Sequence, residues 1–195
     1  MSSGRLEAFS DGVIAIIITI LVLELKVPQG SDLTSLAPIW PVFISHVLSF
    51  IYLGIYWNNH HHMLQATERV DGLVLWANLH LLFWLSLVPF TTGWMGENHF
   101  ATVPVALYGA VLCFVAIAYY LLARALLTLH EPGSALANAF AGDFKGKISI
   151  VIYLVAIPLA FVNNWIAFGL YIVVAALWFM PDRRIEREVV TEAEP

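Results

Sequence analysis

The segment RLEAFSDGVIAIIITILVLELKVP, residues 5–28, decides the fold of this chain. Its uninterrupted apolar run extends only from Gly12 to Leu23, between Asp11 and Glu24. At 1.5 Å per residue that run is about 18 Å long, whereas the hydrocarbon core of a bilayer is about 30 Å thick. A carboxylate within a membrane is costly and normally faces protein or water. Asp11 therefore predicts a central first helix that other helices surround.

The rest of the chain also has the composition of a membrane protein. Of its 195 residues, 60% are hydrophobic and 12% are charged, which is about half the charged share of a soluble domain. We predict an all-α, polytopic domain of six transmembrane helices over residues 1–181, followed by a short charged cytoplasmic tail over residues 182–195. The predicted spans are 6–27, 37–63, 73–94, 103–129, 148–162 and 165–180, the last two forming a short helical hairpin.

The basic residues predict the orientation of the chain. With six spans, only Lys26 falls on one side, and all the other Lys and Arg residues fall on the opposite side. Basic residues accumulate on the cytoplasmic side of a membrane, so both termini are predicted to be cytoplasmic. The residues on that side are Arg5, Arg69, Arg124, Lys145, Lys147, Arg183, Arg184 and Arg187.

A seam of residues follows one face of the first helix. Ile16, Thr19 and Leu23 are spaced three and four apart, with Ile20 beside them. Copies of this helix around an axis would present rings of isoleucine, threonine and leucine, and such a constriction can gate an ion path by dewetting. Ordinary helix packing produces the same spacing, so the seam alone leaves both explanations open.

Three motifs in order make the chain resemble the transmembrane protein 175 family of potassium channels. Residues 5–11 are similar to the family's R-x-x-x-F-S-D signature. Trp57 and His60 resemble its Trp-x-x-His pattern, and Asn78 and Pro89 resemble its asparagine and proline–aromatic pair. The fourth to sixth helices match only in layout. The residues that carry the resemblance are Arg5, Phe9, Ser10, Asp11, Trp57, His60, Asn78, Pro89 and Phe90.

The resemblance implies a bacterial homotetramer in the inner membrane that conducts potassium and other monovalent cations passively, without a cofactor. Ile16, Thr19 and Leu23 then fall on the family's constriction layers, with Ile20 as a fourth contributor. A second set of residues is implied to form a polar network that fastens the first three helices together. This supporting network consists of Arg5, Phe9, Ser10, Asp11, Trp57, His60 and Asn78.

Two other functions are compatible with the sequence. In a small proton-coupled secondary transporter, Asp11 and His60 would carry protons. In a membrane scaffold or sensor without flux of its own, the acidic tail would be the interaction element. An enzyme is not expected, because the sequence has no GxSxG elbow and no serine with a histidine at a spacing that suggests a base. Nucleic acid is not expected as a partner either, because no basic patch with interleaved aromatic residues is present.

Polar residues near the predicted helix ends give weaker indications. His60, His61 and His62 are consecutive, so on a helix they point about 100° apart and cannot share one ion. We therefore predict no metal site. The sequence does not decide whether Glu24, or Glu97 and His99 in the outer loop, affect conduction.

Overall fold

The structure is a computed structural model that describes residues 3–67, 69–131, 134 and 144–179. The described residues form seven α-helices and one 3₁₀ helix and contain no β-strand. The predicted all-α class and six-helix layout are confirmed, with α3 and α4 together forming the third span. The helices are α1 (Ser3–Leu23), α2 (Trp40–Gln65), α3 (Gly72–Ser86), α4 (Val88–Glu97), α5 (Thr102–Leu127), α6 (Phe144–Leu159) and α7 (Asn164–Phe179), and the 3₁₀ helix Leu33–Ile39 precedes α2.

The third span is interrupted, although the sequence predicted one helix over residues 73–94. The interruption lies at Leu87, between α3 and α4. Pro89 has no N–H group, so it cannot bond to the carbonyl of Leu85 as a continuous helix requires. The first span also differs from its predicted limits of 6 and 27. Helix α1 ends at Leu23, where the apolar run meets Glu24.

Four segments are long and apolar enough to cross a membrane: Ser3–Leu23, Leu33–Gln65, Gly72–Glu97 and Thr102–Leu127. Helices α6 and α7 have 16 residues each, which is about 24 Å of helix. Their side chains meet where Trp178 donates a hydrogen bond to Ser149. This pair agrees with the predicted short hairpin.

Helix α5, rather than α1, is the most enclosed helix of the single chain. The most apolar 18-residue segment of α5 is 67% buried, whereas the corresponding segment of α1 is 28% buried. One hydrophobic cluster joins one face of α1 to α2, α3 and α5, and a second joins α2, α4 and α5 to α6 and α7. A chain on its own therefore surrounds α1 on one side only.

The predicted tail, residues 182–195, lies outside the described residues. The same holds for Arg183, Arg184 and Arg187, three of the basic residues on which the predicted orientation depends.

Candidate ion pathway along the first helix

One continuous stripe of α1 is exposed on the surface of the chain. Its residues alternate in spacing between four and three, so they follow one another along a single face. Phe9, Ile16 and Leu23 are 52%, 60% and 78% exposed, and Ile20 beside them is 39% exposed. We call this set the exposed stripe; it consists of Arg5, Phe9, Gly12, Ile16, Thr19 and Leu23.

The opposite face of α1 is buried in the chain. Leu6, Ile14, Ile17 and Leu21 are each exposed by 3% or less and belong to the cluster shared with α2, α3 and α5. The predicted seam of Ile16, Thr19 and Leu23 is thus not the face that packs within the chain. Packing inside one chain does not explain its spacing.

Thr19 differs chemically from its apolar neighbours on the exposed stripe. Its hydroxyl donates a hydrogen bond to the carbonyl of Ile16 at 2.7 Å. A hydroxyl has one hydrogen to donate and two lone pairs. Because the hydrogen is used within α1, the Thr19 oxygen is left to act as an acceptor, and the ligand that suits it is a cation or a water molecule.

A directed chain of buried hydrogen bonds joins the first three helices. His60, Asn78 and Ser10 are completely buried. The Asn78 amide nitrogen donates to Ser10 Oγ at 2.9 Å, and Ser10 Oγ donates to the carbonyl of Leu6 at 2.8 Å. His60 Nε2 lies 2.7 Å from the Asn78 amide oxygen. That oxygen can only accept, so Nε2 must carry the proton and donate.

Two further contacts tie α1 to α2 beside this buried chain. Trp57 Nε1 donates to Asp11 Oδ1 at 3.0 Å. His61 Nδ1 lies 2.7 Å from Glu7 Oε1. Among the described residues, neither carboxylate is paired with a lysine or an arginine. The indole N–H of Trp57 therefore partly offsets the burial of Asp11, whereas the approach of His61 to Glu7 is a close contact without hydrogen-bond geometry.

Five of the seven residues predicted for the supporting network lie in these contacts, and they join α1 to α2 and α3. The other two, Arg5 and Phe9, lie on the exposed stripe, and their side chains make no hydrogen bond or ion pair with the described residues. Their supporting role stays a prediction. The contact between Glu7 and His61 was not predicted from the sequence. Glu7 precedes Asp11 by four residues, and this spacing on one helix face was the available signal.

The residues that directly follow α1 bring charged side chains to α4. Lys26 pairs with Glu97, and the hydrogen bond and charge of that carboxylate raise the pKa of Lys26. The Glu24 carboxylate lies beside Gly93, where Oε2 would be 3.0 Å from an added Cβ. His99 is exposed and has a positive φ of 51°. Glu97 is thus occupied by Lys26, whereas Glu24 and His99 form no ion pair with a described residue.

Comparison with known proteins identifies the family of this chain. A sequence profile described as endosomal/lysosomal potassium channel TMEM175 matches residues 5–89. A potassium channel of Chryseobacterium sp. (strain P1-3) is 54% identical over 189 residues, which cover 97% of this chain and 98% of that protein. The chain belongs to the TMEM175 family. The predicted resemblance is confirmed.

A TMEM175 structure has the same fold. The crystal structure of a lysosomal potassium-selective channel TMEM175 homolog from Chamaesiphon minutus superposes with a TM-score of 0.79 at 32% identity, and covers 91% of this chain and 96% of that one. A potassium channel of Streptomyces collinus is 34% identical over 172 residues, covering 83% of this chain and 84% of that protein. These bacterial relatives are channels rather than enzymes, and their similarity and the apolar helices make this chain a bacterial membrane protein.

Proposed function

We propose that four copies of this chain form a passive, potassium-preferring cation channel in the bacterial inner membrane, with the exposed stripe of α1 lining the path. One observation carries the proposal: α1 buries one face within the chain and leaves Ile16, Thr19 and Leu23 exposed on the other. The bacterial relatives named as potassium channels support the substrate. The exposed face of α1 supports a ring of chains, because in such a ring the neighbouring copies of the chain cover that face.

The narrow part of the path would consist of apolar rings above and below a polar one. Rings of Ile16 and Leu23 exclude water when they close, because an apolar constriction of molecular width dewets. A small rotation or outward movement of α1 would wet it. The Thr19 ring between them would present hydroxyl oxygens whose hydrogens are already donated to Ile16, and Ile20 would contribute at the edge of the constriction.

The buried polar contacts would set the angle and register of α1. The hydrogen bonds from His60 through Asn78 to Ser10 link α1, α2 and α3. Asp11 adds a second attachment through Trp57. Hydrogen bonds in a low-dielectric interior have strict geometry and are costly to leave unmade, so they favour a single placement of the helix. These residues would therefore support the pore without lining it.

The distribution of basic residues supports cytoplasmic termini. Arg5, at the beginning of α1, and Arg124, near the end of α5, lie on the side to which basic residues are drawn. Lys26 lies beyond the other end of α1, where its ion pair with Glu97 offsets its charge. In this orientation the constriction lies in the half of α1 that is nearer the outside of the cell.

Flux measurements on purified protein in liposomes test the proposal. The wild type should pass potassium faster than sodium, and caesium should be measured beside them. Ile16→Asn should raise the basal potassium flux several-fold, because a polar ring keeps the constriction wet. Leu154→Asn is the matched control, because Leu154 is 57% exposed on α6 and Ile16 is 60% exposed on α1. Potassium flux equal to that of empty vesicles for wild type and Ile16→Asn would overturn the proposal.

The same assay separates the two alternative functions. The flux of a proton-coupled transporter that uses Asp11 and His60 would saturate with substrate and require a pH gradient. The flux through a channel would show neither property. A scaffold would show no flux. Removal of residues 182–195 should leave the flux of a channel intact, since the exposed stripe and its supports lie in the first three helices.

A further inference from the structure

A cluster of three potential metal ligands lies between the beginning of α1 and the end of α2. Glu7 and Asp11 are one turn apart on α1, and His61 faces them from α2. One ligand atom from each residue lies within 4.8 Å of the others. All three side chains are half-buried. The cluster is separate from the buried chain of His60 and Asn78.

The fold separates three histidines that the sequence presents together. Only His61 enters the cluster; His60 turns into the protein, where it bonds to Asn78, and His62 contributes no ligand atom to the cluster. His61 Nδ1 is enclosed and is not engaged in a hydrogen bond of good geometry, although Glu7 Oε1 lies 2.7 Å away. Two ligands of a tetrahedral zinc ion lie about 3.4 Å apart, so a bound ion would move these two atoms apart by less than about 1 Å.

Trp57 holds two of the three ligands in place. Its indole N–H donates to Asp11 Oδ1, which leaves the second carboxylate oxygen free to bind an ion. Its ring also stacks on the imidazole of His61, with ring centroids 5.9 Å apart and planes 21° apart. Hydrogen bonds and packing that orient ligands in this way are typical of metal sites in proteins.

The charge of the cluster favours a cation. Glu7 and Asp11 bring two carboxylates into one half-buried site, and the imidazole of His61 adds a nitrogen ligand. Among the described residues no lysine or arginine pairs with them. Arg5 lies on the exposed stripe instead and makes no such contact. Half-buried carboxylates of this kind are stabilised by a cation that they coordinate.

We propose that Glu7, Asp11 and His61 bind a divalent cation of the zinc class that joins α1 to α2. Imidazole together with carboxylates suits zinc, cobalt and nickel better than magnesium, which prefers oxygen ligands alone and keeps most of its water. Three protein ligands leave at least one position for water. Glu7 and Asp11 lie roughly 100° or more around α1 from the exposed stripe, so the ion lies outside the proposed path and holds the helix from behind.

Direct binding and melting measurements on the intact protein test this site, and neither requires conduction. The protein is purified with a tag that contains no histidine and titrated with Zn²⁺ or Mg²⁺. We expect one Zn²⁺ per chain and a melting temperature raised by about 5–10 °C at a hundred times the dissociation constant. Mg²⁺ should produce no comparable rise.

Variants assign the binding to these residues. His61→Ala should weaken Zn²⁺ binding at least tenfold, whereas His62→Ala, its neighbour on α2, should stay within twofold of wild type. If His61→Ala fails to fold, Glu7→Gln is held to the same criterion. Absence of Zn²⁺ binding by the wild type, or equal binding by wild type and the His61 or Glu7 variant, would overturn the proposal. Because flux is not the readout, this result is independent of whether the chain is a channel.

Discussion

Replacement of Asn78 by leucine should destabilise the protein through one unsatisfied donor. The amide oxygen of Asn78 accepts the proton of His60 Nε2 at 2.7 Å, and all of these atoms are buried. Leucine has a similar volume but cannot accept. His60 cannot escape by moving its proton, because Nδ1 has no partner either. Either tautomer then has a buried N–H without an acceptor.

The size of the effect follows from the two hydrogen bonds that are lost. A buried donor left without its acceptor costs about 1–3 kcal/mol. The bond from Asn78 to Ser10 contributes about 1 kcal/mol more, while Ser10 keeps its bond to Leu6. We therefore expect the free energy of unfolding to fall by about 2–4 kcal/mol, which for a chain of this length lowers the melting temperature by about 4–16 °C.

Thermal unfolding in detergent measures this effect against a matched control. Asn58→Leu makes the same chemical change at an exposed position of α2. A double-mutant cycle between Asn78→Leu and His60→Leu should show a coupling energy of about 1 kcal/mol or more, because the two changes remove the same hydrogen bond. An Asn78→Leu protein as stable as Asn58→Leu, with no coupling to His60, would refute the directed chain of hydrogen bonds.

Two further predictions concern other parts of the fold. In thermal unfolding, Gly109→Ala should be about 1–3 kcal/mol less stable than the control Gly169→Ala. An added Cβ at Gly109 would lie 2.0 Å from the buried Tyr171 hydroxyl, whereas Gly169 has open space around it. Equal stabilities of the two variants would contradict the close packing of α5 on α7. The ion pair of Lys26 with Glu97 should stabilise the protein at neutral pH, because the pKa of Lys26 is raised in the folded protein. That stabilisation should be lost as the pH rises above the ordinary lysine pKa of 10.5. A difference in melting temperature between wild type and Lys26→Gln that stays unchanged at high pH would contradict this prediction.

The seam that lies within the exposed stripe and the residues that join the first three helices were predicted from the sequence for different reasons. The seam of Ile16, Thr19 and Leu23 follows from helical periodicity, which a sequence displays directly. Ser10, Asp11, Trp57, His60 and Asn78 came from a family resemblance, since no spacing rule connects residues on three separate helices. Periodicity alone could not say whether the seam faces the chain or its surroundings.

The features that the sequence did not reveal depend on how helices rotate against one another. Helical geometry separates three consecutive histidines, but only the packing of α2 against α1 and α3 brings His61 to Glu7 and His60 to Asn78. The enclosed position of α5 depends likewise on its packing against α3, α4, α6 and α7. Pro89 was a sequence signal for the interruption at Leu87, but an apolar run with one proline also occurs in helices that are kinked and continuous.

The most direct test of the proposed pathway is modification of a cysteine on the exposed stripe. Cys113, the single native cysteine, is first replaced by alanine. Leu23→Cys and Val162→Cys form a matched pair, because both residues are 78% exposed in the single chain. A charged, membrane-impermeant thiol reagent should reduce the potassium flux of Leu23→Cys liposomes severalfold and leave that of Val162→Cys unchanged. Equal sensitivity of the two variants, or a flux that the reagent does not alter in either, would contradict an ion path lined by the exposed stripe of α1.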